Sequence, residues 1–518
     1  MQKLQLLGLI AAMLLLMAIV VVSSSDMEPA VEAVREIEEI WDIEDAREES
    51  ETPLITALEN FGVPLAYDRV ENTFYCTLGL ENGEAWPELH LTAPDAEGVS
   101  IFFSDDYTYD YCADAIAEGY SYELMAYNDT HYSYFYIVFT GLPIVTIESE
   151  QEIGTLDVYG SVNVCTADAQ CAAPARLHTR GAGSAAVSDK KSYRVEFVRD
   201  ANSGGVYADV PLMGAADDLI LLGCVMDESL MRDKLSWALY DSLADGTESF
   251  GARQCEYVEL FVSGEYMGVY LMMQPVDEAQ EIAKTSPGST LTDSLYRTTT
   301  LQYAGERPVV AMKSSEVTGY EWFYGSSGFD ALEAFMDLEE MEDDEAFAQA
   351  ALECVDLESI LTYYLFVQAG GMSDNVYNNM YIWAHHTADG VKYRFAPWDM
   401  DLTWGRYKNP ETGEVDHGLF RFDAAQRLID LDAGGIVRDA LLEIWRGMRT
   451  GAFTAENVRS LTQEYARQLN ASGAFARNAM RWELESAEAD GALISDFAAE
   501  HFLMLDALFG YDGAAQAQ

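Results

Sequence analysis

Basic residues are scarce in this chain. Its 518 residues include 30 Lys and Arg but 88 Asp and Glu, which gives a formal net charge of -58. Duplex nucleic acid is bound largely through Lys and Arg contacts to phosphates, so nucleic acid is not an expected partner. An anionic membrane surface is not expected for the folded part either. The acidity favours solubility and carries no information about the fold.

Cysteines are few, and their placement matches no metal-binding pattern. The chain has 7 of them, and none of their spacings is that of a zinc site. Cys165 and Cys171 are close enough in sequence for a small disulfide loop, and the others fit buried apolar positions. No internal repeat is evident, and the only low-complexity segments are acidic.

The longest apolar run lies at the N-terminus. Residues 4–22 are almost wholly apolar, and Gln5 is their only polar side chain. A run of this length is typical of a signal peptide or an N-terminal anchor. Lys3 gives a weak positive-inside signal, which predicts that the rest of the chain lies outside the cytoplasm. We therefore expect an extracytoplasmic protein, secreted or anchored to the outer face of the cell membrane and touching the membrane only through this segment. Cleavage and retention of the segment stay open.

Changes in composition divide the chain into four expected parts. Residues 1–25 are the signal peptide or anchor, and residues 26–52 form a strongly acidic stalk. Residues 53–141 contain short strand-like runs punctuated by Gly, Asn and Asp, which predict a β-sandwich-like module. Residues 142–510 mix strand and helix patterns and end in a largely helical segment, so this part is predicted to be α+β.

A predicted hairpin in the second half of the chain carries polar side chains at its open end. A helical pattern over residues 357–367 precedes two strand-like runs, 380–384 and 391–396, which flank a turn signal. Beside the outer ends of these strands stand Asp374, Asn379, Asp399 and Asp401. An antiparallel hairpin brings its open ends together, so Asn379 should lie near Asp399, with the first aspartate at the mouth of the same crevice. Such oxygen ligands suit Mg²⁺ and a phosphate, and phosphoryl transfer is the first hypothesis.

A second group of residues is basic. Residues 176–199 hold six of the 30 Lys and Arg side chains. Here the turn R-G-A-G-S, with Gly181 and Gly183, precedes the strand-like K-K-S-Y-R-V-E-F. A Gly-containing turn lets backbone N–H groups approach phosphate, and a Lys adds a point charge. In so acidic a chain the group favours phosphate binding; the alternative is a flexible hairpin with solvated lysines.

Six segments between residues 142 and 405 follow one another in a specific order. They read R-G-A-G-S, K-K-S-Y-R-V-E-F, L-I-L-L-G with D-E-S-L-M-R-D-K-L, Y-V-E-L-F-V-S-G-E-Y-M-G-V-Y-L-M, S-D-N-V-Y-N-N-M-Y and F-A-P-W-D-M-D-L-T-W-G. In this order the chain resembles the CotH kinase family, the spore-coat protein H-like atypical protein kinases. The resemblance implies an atypical protein-kinase-like, two-lobed fold with ATP and a divalent metal ion, Mg²⁺ or Mn²⁺, in the cleft. The β-rich module lies outside it.

The resemblance implies that one set of residues binds the nucleotide phosphates. Lys191, or Lys190, resembles the phosphate-contacting lysine, and either Glu228 or Asp233 would be its acidic partner. Relatives commonly carry a Glu close to the position of Gln274 here. The residues that resemble the glycine loop over the phosphates are Arg180, Gly181, Gly183 and Ser184, with Ala182 where a polar residue is more usual.

The resemblance assigns phosphoryl transfer and metal binding to a second set of residues. Asp374 resembles the catalytic-loop aspartate that orients the acceptor hydroxyl, and Asn379 resembles a metal ligand five residues later. Asp399 resembles the principal metal-binding aspartate, with Asp401 as a second candidate. This implies an exported kinase that transfers the γ-phosphate of ATP to Ser or Thr of surface or extracellular proteins. The alternative is a catalytically inactive surface binding or adhesive protein on the same scaffold, and a metal-dependent hydrolase has less support.

Overall fold

The computed structural model describes most of the chain outside its N-terminal apolar run. The described residues are 31–32, 37–79, 87–94, 96–104, 112–181, 188–243, 254–276, 293–298, 320–325, 328–376, 378–408, 413, 415, 417–420, 422–432 and 435–512. Ala182, Gly183 and Ser184 of the predicted glycine loop lie outside them. Within the described residues, no helix combines the length and the apolar character needed to cross a membrane.

The N-terminal module is built on one mixed sheet. Its strand order is β1-β8-β9-β10-β6-β5, with β2 paired to β10, and β3, β4 and β7 form a separate three-stranded sheet. The elements are β1 (Val31–Glu32), α1 (Ile37–Ala46), β2 (Glu48–Glu49), β3 (Glu59–Asn60), β4 (Val63–Pro64), β5 (Ala66–Asp68), β6 (Thr73–Thr77), β7 (Leu91–Thr92), β8 (Ser100–Phe103), α2 (Cys112–Ala117), β9 (Ser121–Tyr127) and β10 (His131–Thr140). Strand β10 runs parallel to both β2 and β6. The sheet therefore combines parallel with antiparallel pairs, and the β-sandwich-like character of residues 53–141 stays a prediction.

The predicted acidic stalk is part of this module wherever the structure describes it. Strands β1 and β2 pair with β8 and β10. Helix α1 buries Ile40 and Ile43 in a cluster with Phe102 and Met125. Most of its acidic side chains are exposed, while Glu44 accepts a hydrogen bond from the Tyr134 hydroxyl at 2.9 Å, so this acidic helix still has one apolar stripe. The described part of the acidic segment therefore packs on the module, and the predicted boundaries of residues 26–52 stay a prediction.

The next part of the chain closes into a barrel. Its strands are β11 (Ile144–Glu148), β12 (Val158–Cys165), β13 (Gln170–Arg180), β14 (Ser192–Phe197), β17 (Asp218–Leu222), β18 (Cys255–Val262) and β19 (Glu265–Met273), with a small hairpin of β15 (Ala208–Val210) and β16 (Gly214–Ala216) between β14 and β17. The order is β11-β12-β13-β14-β17-β19-β18, closed where β11 runs parallel to β18. One core cluster is formed by alternate side chains of these strands, among them Val162, Val164, Leu177 and Val195.

The remaining part combines helices with a four-stranded sheet. The elements are α3 (Arg232–Asp241), which lies between β17 and β18, then β20 (Ser294–Thr298), β21 (Tyr320–Tyr324), α4 (Asp330–Glu339), α5 (Asp344–Cys354), α6 (Leu357–Gly370), β22 (Met380–Thr387), β23 (Gly390–Pro397), α7 (Asp423–Leu431), α8 (Ile436–Thr450), α9 (Ala455–Ala471), α10 (Ala474–Trp482) and α11 (Ala492–Phe509). The sheet order is β21-β20-β22-β23. The predicted helix and hairpin are confirmed, and the chain is α+β. The two-lobed arrangement stays a prediction.

A buried ion pair joins the module, the barrel and the helices. Arg477 of α10 donates from Nε and Nη2 to the two carboxylate oxygens of Glu259 on β18, at 2.9 Å each. The same Nη2 donates to Oγ1 of Thr140, the last residue of β10, at 2.9 Å. The side chains of Arg477 and Glu259 are 7% and 0% exposed. We call Thr140, Glu259 and Arg477 the junction, because each belongs to a different part of the fold.

Candidate functional site

The open end of the β22–β23 hairpin brings two predicted site residues together. Met380 pairs with Pro397, and the Trp398 N–H donates to the Asn379 carbonyl oxygen at 2.9 Å. Both Asn379 and Asp399 adopt left-handed backbone conformations, with φ of 50° and 54°. Asn and Asp tolerate this region better than most side chains do. The predicted proximity of Asn379 and Asp399 is confirmed.

Asp374 lies on the loop that leads into this hairpin. Asn379 donates from Nδ2 to Asp374 Oδ2 at 2.7 Å, and Asn378 lies at 3.4 Å from both carboxylate oxygens. Burial raises the pKa of Asp374, the charge of Asp399 adds to the rise, and the two amide hydrogen bonds oppose it. Since Asn379 uses its donor on Asp374, Oδ1 is the atom that it would offer to a cation.

Asn375 holds the loop and the hairpin together, and sequence reasoning missed it. Its side chain is buried, and Nδ2 donates to the carbonyl oxygens of Trp398 at 2.6 Å and Asn379 at 3.1 Å. The hydroxyl of Tyr363 on α6 donates to the Asn375 carbonyl oxygen at 2.5 Å. The only signal in the sequence is the accumulation of Asn in one loop, a pattern equally typical of ordinary turns.

Carboxylates accumulate behind the hairpin. Asp233, in the first turn of α3, accepts a hydrogen bond at Oδ1 from the Met400 N–H at 2.8 Å, and its Oδ2 is buried without a partner among the described residues. Burial, with a further contribution from Asp399, raises the pKa of Asp233 to about 8. Burial also raises the pKa of Asp401, and Asp399 and Asp233 add to that rise. These groups repel one another, so a bound cation would stabilise them together.

The negative charge of a neighbouring aspartate is balanced by an arginine. Asp227 forms a buried ion pair with Arg232 and accepts the Arg232 backbone N–H at 2.8 Å. Arg232 also donates from Nε to the Thr403 carbonyl oxygen at 2.8 Å. This contact ties the start of α3 to the loop that carries Asp399 and Asp401.

Arg180 reaches the same place from the end of β13. Its guanidinium group lies over the Trp398 ring, 5.0 Å from the centroid. Nη1 is buried and has no hydrogen-bond partner among the described residues. Burial lowers the pKa of Arg180, and Asp399 is among the charges that act on it. Gly181 follows with a φ of 90°, a conformation that favours glycine.

The two candidate lysines have different surroundings. Lys190 is buried, and its Nζ donates to the Val269 carbonyl oxygen at 2.7 Å and to Asn478 Oδ1 at 2.9 Å. Burial lowers its pKa to about 8. Protein acceptors from β19 and α10 thus hold this ammonium group, and its predicted phosphate-contacting role stays a prediction. Lys191 donates to the Ser188 carbonyl oxygen at 2.6 Å, and its predicted role stays a prediction.

The acidic partners proposed for the lysine also lie elsewhere. Glu228 is exposed, and Asp233 bonds to the Met400 N–H in the carboxylate group. Neither is the acceptor that holds Lys190. Gln274 donates to the Met213 carbonyl oxygen at 3.1 Å, on the segment between β15 and β16.

The carboxylates do not form a closed metal cage. Over the described ranges, no group of three or more His, Cys, Asp or Glu side chains is arranged to hold a metal ion. Mg²⁺ typically takes one or two carboxylates and completes its shell with waters and substrate phosphates. The mutual repulsion and raised pKa values of Asp399 and Asp401 therefore fit a divalent cation that is shared with a phosphate ligand.

Comparison with models of protein families identifies a family for this chain. The family model described as CotH kinase protein matches residues 177–497, which is more than half of the 518 residues. The matched range contains Asp374, Asn379, Asp399 and Arg180, and the N-terminal module lies outside it. No curated protein matches the chain.

Proposed function

Because the chain belongs to the CotH kinase family, we propose that it transfers the γ-phosphate of ATP to Ser or Thr hydroxyl groups of a surface or extracellular protein. The proposal includes a divalent metal ion, Mg²⁺ or Mn²⁺, and a cleft between two lobes. It also includes a location outside the cytoplasm, secreted or anchored through the N-terminal segment, and no nucleic-acid partner. The observation that carries it is the convergence of Asp374, Asn379 and Asp399 at one hairpin end.

In this proposal Asp374 accepts the proton of the acceptor hydroxyl. A carboxylate whose pKa is raised by burial is a better proton acceptor than an exposed one. Asn379 holds it by the 2.7 Å hydrogen bond and so fixes the direction from which the hydroxyl approaches. Phosphoryl transfer depends mainly on such positioning and on charge stabilisation, because little covalent chemistry falls to the protein.

The other carboxylates would hold the metal ion. Asp399, Asp401 and Oδ1 of Asn379 supply the hard oxygen ligands that Mg²⁺ prefers. When bound, the ion would neutralise charge on the phosphates. Arg180 supplies a planar guanidinium group for the phosphate oxygens, and its buried Nη1, which lacks a partner in the described ranges, supports this role. Lys191 is a further candidate for the phosphates.

The test is a transfer assay with labelled ATP, Mg²⁺ or Mn²⁺ and a generic protein acceptor. Asp374→Ala and Asp399→Ala should each lower labelling by about 100-fold or more, since a positioned proton acceptor alone contributes on that order. The matched control is Asp389→Ala, because Asp389 lies exposed at the turn of the same hairpin, at the end opposite to the site. It should label like the wild type.

Two results would contradict the proposal. Full labelling by both site variants would show that the residues are wrongly assigned. A wild-type protein that neither transfers phosphate nor gains thermal stability from ATP would reject the kinase function, because a ligand that binds the folded state must stabilise it. That second result would favour a binding protein on a kinase-like scaffold.

A further inference from the structure

Arg297, a residue that no sequence motif singled out, lies on the site side of the four-stranded sheet. On β20 it stands directly opposite Tyr381 of β22, and Tyr381 stands opposite Ala396 of β23. Directly opposite side chains in antiparallel strands share one face of the sheet. Asp399 follows Ala396 by three residues, where β23 ends. The register therefore carries Arg297 to the hairpin end that holds the proposed metal ligands.

Aromatic contacts connect this face with Arg180. The Tyr381 ring meets the Trp398 ring edge-on, with 6.0 Å between the ring centroids, and the Arg180 guanidinium lies over the Trp398 ring, 5.0 Å from its centroid. The charges of Tyr381, Arg297 and Asp399 all act on Arg180. Two guanidinium groups, one from the barrel and one from the four-stranded sheet, thus approach the same carboxylate.

The charges of Asp399, Arg180 and Arg297 favour binding of an anion beside them once a metal ion is bound. Burial raises the pKa of Asp399, and the positive charges of Arg180 and Arg297 oppose that rise. Arg180 and Arg297 also repel each other, which contributes to the lowered pKa of Arg180 after burial. A metal ion on Asp399 would offset the negative charge that acts together with the two arginines. An anion with several oxygens would then accept hydrogen bonds from both guanidinium groups, including Nη1 of Arg180, which has no partner within the described part of the chain.

We propose that Arg297 is a second ligand of the nucleotide phosphates and forms, with Arg180, a clamp that joins the barrel to the four-stranded sheet around the triphosphate. This rests on the proposed function, since it assumes that ATP occupies the site. A guanidinium group offers a rigid fork that matches phosphate oxygens, which a lysine ammonium does not reproduce. The competing account is that Arg297 only neutralises Asp399.

The test measures nucleotide affinity rather than activity. Dissociation constants for ATP and for adenosine are measured by calorimetry with the full chain in Mg²⁺, because the argument requires a metal ion on Asp399. Arg297→Gln should lower the affinity for ATP about 10- to 100-fold, which is the range for a lost charged hydrogen bond, and should leave the affinity for adenosine unchanged. Arg297→Lys should lose less ATP affinity, because it keeps the positive charge. Lys392→Gln, on β23 of the same sheet, removes the same charge away from the site and should bind ATP like the wild type.

The outcomes separate this inference from the proposed function. Equal ATP affinity in Arg297→Gln and wild type, with phosphate transfer intact, would overturn the clamp and leave the kinase function standing. Equal losses for ATP and adenosine would point to a structural role and would also overturn it. If Arg297→Gln does not fold, the affinities of Arg297→Lys and of the wild type for inorganic tripolyphosphate are compared instead. Equal affinities would overturn the clamp. A wild type that binds no ATP would reject both proposals.

Discussion

Breaking the junction should cost a large part of the stability of this protein. Arg477→Met removes the guanidinium group that makes two 2.9 Å hydrogen bonds to Glu259, a carboxylate that is 0% exposed. The Tyr266 hydroxyl, which donates to Glu259 at 2.6 Å, would be the remaining contact to this charge. Leaving one partner of a buried pair uncompensated costs about 3–5 kcal/mol. We expect a loss of that size in the free energy of unfolding.

Urea unfolding followed by tryptophan fluorescence measures the loss. The control is Arg467→Met, because Arg467 and Glu464 form an ion pair whose side chains are 62% and 53% exposed, and exposed pairs contribute little. Adding Glu259→Gln to Arg477→Met should recover most of the loss, since no unpaired charge then remains. The reasoning is refuted if Arg477→Met unfolds at the same urea concentration as the control variant.

Two further predictions concern single residues. Burial lowers the pKa of Lys190 from 10.5 to about 8 in the folded protein, so the stability that this group contributes is present above pH 10.5 and lost as the pH falls through 8. The free energy of unfolding of the wild type, relative to Lys190→Met, should rise by about 3 kcal/mol between pH 8 and 10.5, and a difference independent of pH would contradict this. Gly371→Ala should lower the melting temperature more than Gly510→Ala. Both glycines have a positive φ, but only at Gly371 would the new Cβ meet Phe497, at 2.7 Å. Equal shifts in the two variants would show that this contact relaxes freely.

The sequence predicts the hairpin end well because its information is local. Strand composition and a turn place residues 380–384 and 391–396 side by side, and the register follows from the turn. The proximity of Asn379 and Asp399 is a direct consequence. The helix before them was equally predictable, since Asp356 caps its start by accepting the Ser359 N–H and a left-handed glycine ends it.

Other features depend on contacts that composition does not encode. From the sequence Lys190 resembles a phosphate ligand, and nothing local predicts its hydrogen bond to Asn478, which lies 288 residues later on α10. Helix α1 looks like a stalk because its apolar stripe is narrow and its partners, Phe102 and Met125, come much later. Arg297 lies in a short strand without a motif, and only the pairing with Tyr381 assigns it to the site.

The junction also determines when this protein can finish folding. Glu259 precedes Arg477 by 218 residues, and Thr140 precedes it by 337. A ribosome therefore releases the module and the barrel strands long before the arginine that they share has been made. Until α10 has docked, Glu259 has no arginine partner. An unpaired carboxylate is more stable in contact with water, so it opposes burial of the surrounding residues. Contacts so distant in sequence form late, so we expect the docking of α10 to be the slow, committing step that converts three separately formed parts into one body.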